Sequence, residues 1–210
     1  MAALLENQVA IITGSGRGIG AAAAKLFAAH GAKVVVTDID PTPAKAVVAE
    51  IKAAGGEALA VPGDITDGAF PETLVKAAVD TYGKLHILVN NAGYTWDKVV
   101  HKMSDQQWEA MFAIHCTAPF RLIRAAAPYM RDAAKMEKGA GNTPEPRCII
   151  NVSSTSGIHG NAGQVNYSTA KMGIIGLTKT IAKEWGNFNI RSNAVVFGMI
   201  DTRLTKAKEQ

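Results

Sequence analysis

Six strand-length apolar runs alternate with helix-length amphipathic runs along this chain, and that alternation leaves few folds open to it. "QVAIITG" is a short apolar run closed by glycine. "IGAAAAKLFAAHG" follows, with Ile19, Ala22, Ala23, Leu26 and Phe27 on one helical face and Gly31 as a stop. The strand pattern recurs in "AKVVVTDID", "EALAVPGDIT", "LHILVNNAG", "RCIINVSS" and "NIRSNAVVFG". Between these lie "TPAKAVVAEIKAAGG", "FPETLVKAAVDTYG", a long stretch from Ser104 or Asp105 to about Ala134, and "YSTAKMGIIGLTKTIAKEWG". The last carries Ala170, Ile174, Leu177, Ile181 and Trp185 as one stripe. Such a chain is read as right-handed βαβ crossovers around a parallel sheet covered on both faces. The expected fold is a doubly wound α/β sheet of six strands. The Gly- and Pro-rich insert "EKGAGNTPEPR" reads as an exposed loop with no function of its own.

Composition narrows the function classes. At 210 residues, 48% apolar and 19% charged, the chain reads as a single globular domain over residues 1–210. No apolar run approaches the ~20 residues of a membrane span. "MAALLENQVAIITG" has no basic leader region, so no signal peptide is expected. Cys116 and Cys148 have neither metal nor redox spacing, which fits a reducing, cytoplasmic compartment. The net charge of +4 is spread along the chain, which argues against nucleic acid. The five histidines form no ligand pattern, so no metal site is expected.

The motifs sit where strands end. "TGSGRGIG" joins the first strand to the first helix, the setting a phosphate-binding turn needs. Its spacing is T-G-x-x-x-G-x-G, through Gly14, Gly18 and Gly20. Asp38 ends the second strand, where an acid can bond adenosine ribose hydroxyls and repel a 2′-phosphate. Arg17 points the other way, since a guanidinium can hold that phosphate. On balance NAD(H) is favoured over NADP(H). "GDIT" with Asp64, "NNAG" from Asn90 to Gly93 and "NVSS" with Ser153 and Ser154 follow the next three strands. Tyr167 and Lys171 then share one helical face in "VNYSTAK". An ammonium beside a phenol lowers the phenol's pKa and readies it for proton transfer.

Together T-G-x-x-x-G-I-G, N-N-A-G, S-S…Y-x-x-x-K and N-A-x-x-x-G-x-I-x-T resemble the short-chain dehydrogenase/reductase family, among its members most the 3-oxoacyl-acyl-carrier-protein reductases. The match runs from Val9 to about Thr202. The resemblance implies a nicotinamide-dependent oxidoreductase acting on a small-molecule secondary alcohol or ketone. It makes Tyr167 the acid/base. Lys171 tunes the tyrosine and holds the nicotinamide ribose, and Ser154 bonds the substrate oxygen. Gly14, Arg17, Gly18 and Ile19 line the pyrophosphate. Asp64 and Ile65 flank the adenine, and Asn91, Ala92 and Gly93 lie against the ribose. Ile200 and Thr202 meet the nicotinamide amide.

Three departures from the family pattern bear on this. His115 stands where the family usually has the asparagine of a proton relay. It either replaces the amide, adding a pH dependence near neutrality, or only packs. Phe197-Gly198 replaces the usual Pro-Gly. The sequence stops at Gln210, short of the usual lid and last strand, so an open edge at the sixth strand is expected. The alternative reading is a truncated, catalytically weak nucleotide-binding or interaction protein. The family's pairing of its long helices implies a homodimer or homotetramer, with Ala125, Ala126, Gly173 and Gly176 permitting close approach.

Overall fold

The computed structural model describes residues 3–202. Its six strands are β1 (Val9–Thr13), β2 (Lys33–Thr37), β3 (Glu57–Ala60), β4 (Ile87–Asn90), β5 (Arg147–Ser154) and β6 (Ile190–Phe197). They form one parallel sheet in the order β3-β2-β1-β4-β5-β6. Successive side chains of a strand face opposite sides, and here both sides are apolar. Ile11, Val35, Leu88 and Ile149 belong to one buried cluster, while Ala10, Ile12, Val34 and Val36 belong to the other. All five residues of β1 are buried.

Helices α1 (Gly18–Ala29) and α2 (Pro41–Ala53) cover the second cluster. The first is covered by α3 (Phe70–Tyr82), α4 (Asp105–Phe112), α5 (Ala118–Ala127), α6 (Ala133–Gly139) and α8 (Val165–Trp185). Ser104 caps α4 in a reciprocal box with Gln107. From α4 to α6 the helix runs without interruption through π-helical turns at Ala113–Thr117 and Pro128–Asp132. Pro119 has no N–H to offer the His115 carbonyl, a local reason for the ladder to widen there. The segment after Ser154, read from the sequence as loop, is the one-turn helix α7 (Thr155–His159). The Ser154 side chain caps it by accepting from the Ser156 N–H, a cue that hydrophobic periodicity does not carry.

The insert, largely exposed as expected, is tied down at its ends. Its first residue, Glu137, grips its last, Arg147, through two hydrogen bonds of 2.6 and 3.1 Å. Glu145 bonds Lys84 at 2.5 Å and His86 Nε2 at 2.9 Å. His86 Nδ1 accepts the Val9 N–H, so Nε2 carries the proton donated to Glu145. Hydrogen bonds from Lys84 and His86 hold the Glu145 carboxyl down at about 2. The network staples the N-terminal end of the sheet, opposite the site below. At the sheet's edge β6 pairs only with β5 among the described residues, and Val195 and Val196 are partly exposed.

Candidate active site

The site forms where the strand order reverses, between β1 and β4, the crevice in which open α/β sheets take ligands. Thr13 and Asn91 hold the crevice open. Thr13 Oγ1 accepts the N–H groups of Asn91 and Ala92 at 3.0 and 2.9 Å. Asn91 Nδ2 donates back to the Thr13 and Gly14 carbonyls. A Cβ on Gly20 would overlap the Gly14 carbonyl oxygen and lie 2.6 Å from Asn91 Nδ2. Gly14, at φ +61°, sits against Ala92. The backbone here approaches more closely than any side chain permits. Arg17, the N-cap residue of α1, makes no capping bond with its side chain. Ile19 in the first turn is half-buried.

Asp38 and Arg17 lie on the rim. Asp38 accepts the Gly16 and Asp40 N–H groups, one on each oxygen. Arg17 pairs with Asp40 at 2.6 Å. Asp64 is exposed and accepts from Thr66 N and Oγ1. The Ile65 side chain is buried in the core cluster with Leu74 and Val75. Thr202 lies beside Gly18, and Ile200 is partly exposed.

Ser154, Tyr167, Lys171 and His115 come together. Ser154 ends β5, with Phe197 of β6 beside it in register. Its neighbour Ser153 points elsewhere and donates to the Lys171 carbonyl. The buried His115 packs edge-on against Tyr167, ring centroids 5.0 Å apart. Lys171, also buried, donates to the Val152 carbonyl at 2.7 Å, with Nζ 5.6 Å from the centre of the Tyr167 ring. Gly93 passes so near His115 that a Cβ there would overlap Cε1.

The electrostatics bear on Tyr167 and His115. Burial pushes the Tyr167 phenol above its usual pKa, a hydrogen bond with Ser154 pulls it down, and the charge of Asp97 adds to the rise. Lys171 lies over the ring and donates to the Val152 carbonyl. His115 does not titrate near neutrality. Burial first, then the Lys171 charge, drive it down to about 3. Its Nε2 lies 2.8 Å from the Tyr94 carbonyl, which only accepts, so Nε2 carries the proton. Nδ1 is then a buried acceptor with no hydrogen-bond partner among the described residues.

Burial lowers Lys171 to about 8. Its unfolded value is near 10.5, so between those limits the unfolded chain binds the extra proton and stability gains with rising pH. The expected result is that, from pH 7.5 to 9.5, the melting temperature of the wild type rises relative to that of Lys171→Met. Parallel melting curves across that range would show that folding does not lower the Lys171 pKa.

Sequence reasoning passed over Asn166. It is fully buried, donates to the Trp96 and Gln107 carbonyls and accepts the Tyr167 N–H. Gln164 donates to Asp97 at 2.9 Å, and Lys98 bridges to Gln164 as a short parallel pair. These residues bind the loop after β4 to the start of α8. Their one sequence signal is adjacency to Tyr167.

Residues 8–210 match the family described as short chain dehydrogenase. The chain is 41% identical over 203 residues to a 3-oxoacyl-[acyl-carrier-protein] reductase of Synechocystis sp., spanning 96% of this chain and 78% of that protein. It is 41% identical over 196 residues to the hydroxyacyl-CoA dehydrogenase ChsB1 of Mycobacterium tuberculosis, spanning 91% of this chain and 61% of that one. A solved short chain dehydrogenase from Mycobacterium avium superposes with a TM-score of 0.87 at 38% identity, covering 99% of this chain and 72% of its own.

Proposed function

This chain belongs to the short-chain dehydrogenase family and is a nicotinamide-dependent oxidoreductase, and from that premise we propose that it interconverts a 3-oxoacyl-type ketone and its secondary alcohol, with Tyr167 as acid/base. The observation that carries the reading is the meeting of Ser154, Tyr167 and Lys171 beside the glycine turn at the strand ends. The uncapped α1 N-terminus and the cradle that a Cβ on Gly20 would fill fit a pyrophosphate. The cofactor supplies or accepts the hydride at the carbinol carbon.

In the reducing direction the Tyr167 hydroxyl gives its proton to the substrate oxygen while Ser154 bonds that same oxygen. The raised phenol pKa keeps Tyr167 protonated and ready as the acid. The Lys171 ammonium stabilises the phenolate left behind, and solvent returns the proton. His115, neutral throughout the working range, fixes the Tyr167 ring and the Tyr94 carbonyl. Tyr94 and Trp96 on the loop after β4 and Ile158 on α7 expose apolar surface, a lining suited to an acyl chain.

Asp38 at the ribose position supports NAD(H) over NADP(H). The unpaired thiols of Cys116 and Cys148 fit the cytoplasm. For a homodimer or homotetramer, Phe120 and Met172 are exposed on α5 and α8, and a Cβ on Gly176 would meet nothing within 4 Å. Ala126 is taken up by the core and unavailable. The alternative, a nucleotide-binding protein with weak turnover, draws on the exposed valines of the β6 edge.

The test is a titration with NADH and NADPH, read by fluorescence of Trp96, Trp108 and Trp185, followed by an assay with a 3-oxoacyl thioester. Saturable binding, tighter for NADH, with turnover supports the enzyme. Binding without turnover favours the alternative, and absence of binding overturns both.

A further inference from the structure

We infer that Asp40 is a specificity-determining residue of this chain: by holding the Arg17 guanidinium, it withholds that cation from the 2′-phosphate of NADP(H) and so sets the preference for NAD(H). The inference rests on the nucleotide-binding reading above and adds to it a residue outside every motif.

Two turns meet at this rim. Arg17 is the N-cap residue of α1 and makes no capping bond with its side chain. Asp40 is the N-cap residue of α2. One Asp40 oxygen accepts the Thr42 N–H at 3.0 Å, and the other accepts Arg17 Nη2 at 2.6 Å. The Asp40 N–H in turn donates to Asp38, whose second oxygen accepts the Gly16 N–H. Gly16, Arg17, Asp38 and Asp40 therefore close a circuit between the β1–α1 and β2–α2 turns.

Within that circuit the duties differ. Asp38 spends both oxygens on backbone N–H groups, so it shapes the turn and contributes charge. Asp40 alone addresses the guanidinium. The bond from Arg17, with that from Thr42, holds its carboxyl below the usual range, so it stays ionised at working pH. Asp38 and Asp40 against the single Arg17 charge give these three side chains a net negative charge. A ribose hydroxyl can bond there. A 2′-phosphate has to break the Arg17–Asp40 pair and then sit beside both carboxylates. The pair is exposed, with side-chain accessibilities of 44% and 39%, so Arg17 can turn to a phosphate once Asp40 loses its charge.

Asp40→Asn keeps a side-chain oxygen for the Thr42 N–H and removes the charge. The expected result is an NADPH affinity about tenfold higher, the effect of one nearby charge at a partly screened site, with NADH affinity changed less than about threefold. Adding Arg17→Ala to that variant should erase the gain. The measurement is tryptophan fluorescence titration of wild type, Asp40→Asn and Arg17→Ala/Asp40→Asn with both nucleotides, with melting curves to confirm that each is folded. An unchanged NADPH-to-NADH ratio in folded Asp40→Asn overturns the inference and leaves the function standing. So does a gain that survives the loss of Arg17. A wild type that binds neither nucleotide overturns the functional reading, and the inference falls with it.

Discussion

Replacing Tyr167 with Phe lowers turnover about 10³-fold, within the range that a positioned acid/base contributes, and leaves NADH affinity within about twofold. The substitution keeps the ring that packs edge-on against His115. Lys171 stays in place because it donates to the Val152 carbonyl and not to the phenol oxygen. Only the hydroxyl that Ser154 bonds is lost. Oxidation of NADH by a 3-oxoacyl thioester, followed at 340 nm, gives the rate, and fluorescence titration gives the affinity. A folded variant retaining more than about a tenth of wild-type turnover would falsify Tyr167 as the acid, since proton transfer is worth at least about 10². A variant that loses NADH binding as well would assign Tyr167 to the cofactor and not to the proton.

The second large effect lies at the other end of the sheet. Arg147→Met strips the partner from Glu137 and leaves the Glu145 carbonyl without its guanidinium donor. Breaking a buried pair costs about 3–5 kcal/mol. Arg147 is 3% exposed but Glu137 is 27% exposed on its side chain, so the loss belongs near the lower end. For a domain of this size about 3 kcal/mol lowers the melting temperature by roughly 6–12 °C. Calorimetry on Arg147→Met and on Arg147→Met/Glu137→Gln separates the causes. If the stranded carboxylate is the cost, the double variant recovers part of the loss. A single variant melting within about 2 °C of wild type would show that the staple carries little of the stability.

The alternation of strand and helix was legible because the central strands β1, β2 and β4 are apolar on both faces, so "VAIIT" and "KVVVT" read as strands without their partners. The glycine turn, Ser154, Tyr167 and Lys171 were legible because their spacing is short and motif-like. What stayed hidden depends on contacts across the chain. Asn166 bonds Trp96 and Gln107, which lie 70 and 59 residues away. Glu137 and Arg147 read as loop charges because their bond exists only once the insert folds back on itself. The burial of Ile65 was hidden for the same reason, since it packs against Leu74 and Val75 only once α3 folds over the sheet. The low pKa of His115 was hidden because burial is set by the whole fold and outweighs the local neighbours that a sequence displays.

The anchoring of the loop after β4 has a thermodynamic consequence. Lys98 N–H donates to the Gly163 carbonyl, Gln164 bonds Asp97, and Asn166 bonds Trp96. A loop held in this way has already lost its conformational freedom during folding, so a ligand settling between Trp96 and Tyr167 does not have to order it again. Affinity on that side of the crevice then reports contacts alone, and loosening any one of these ties converts part of it into an entropic loss.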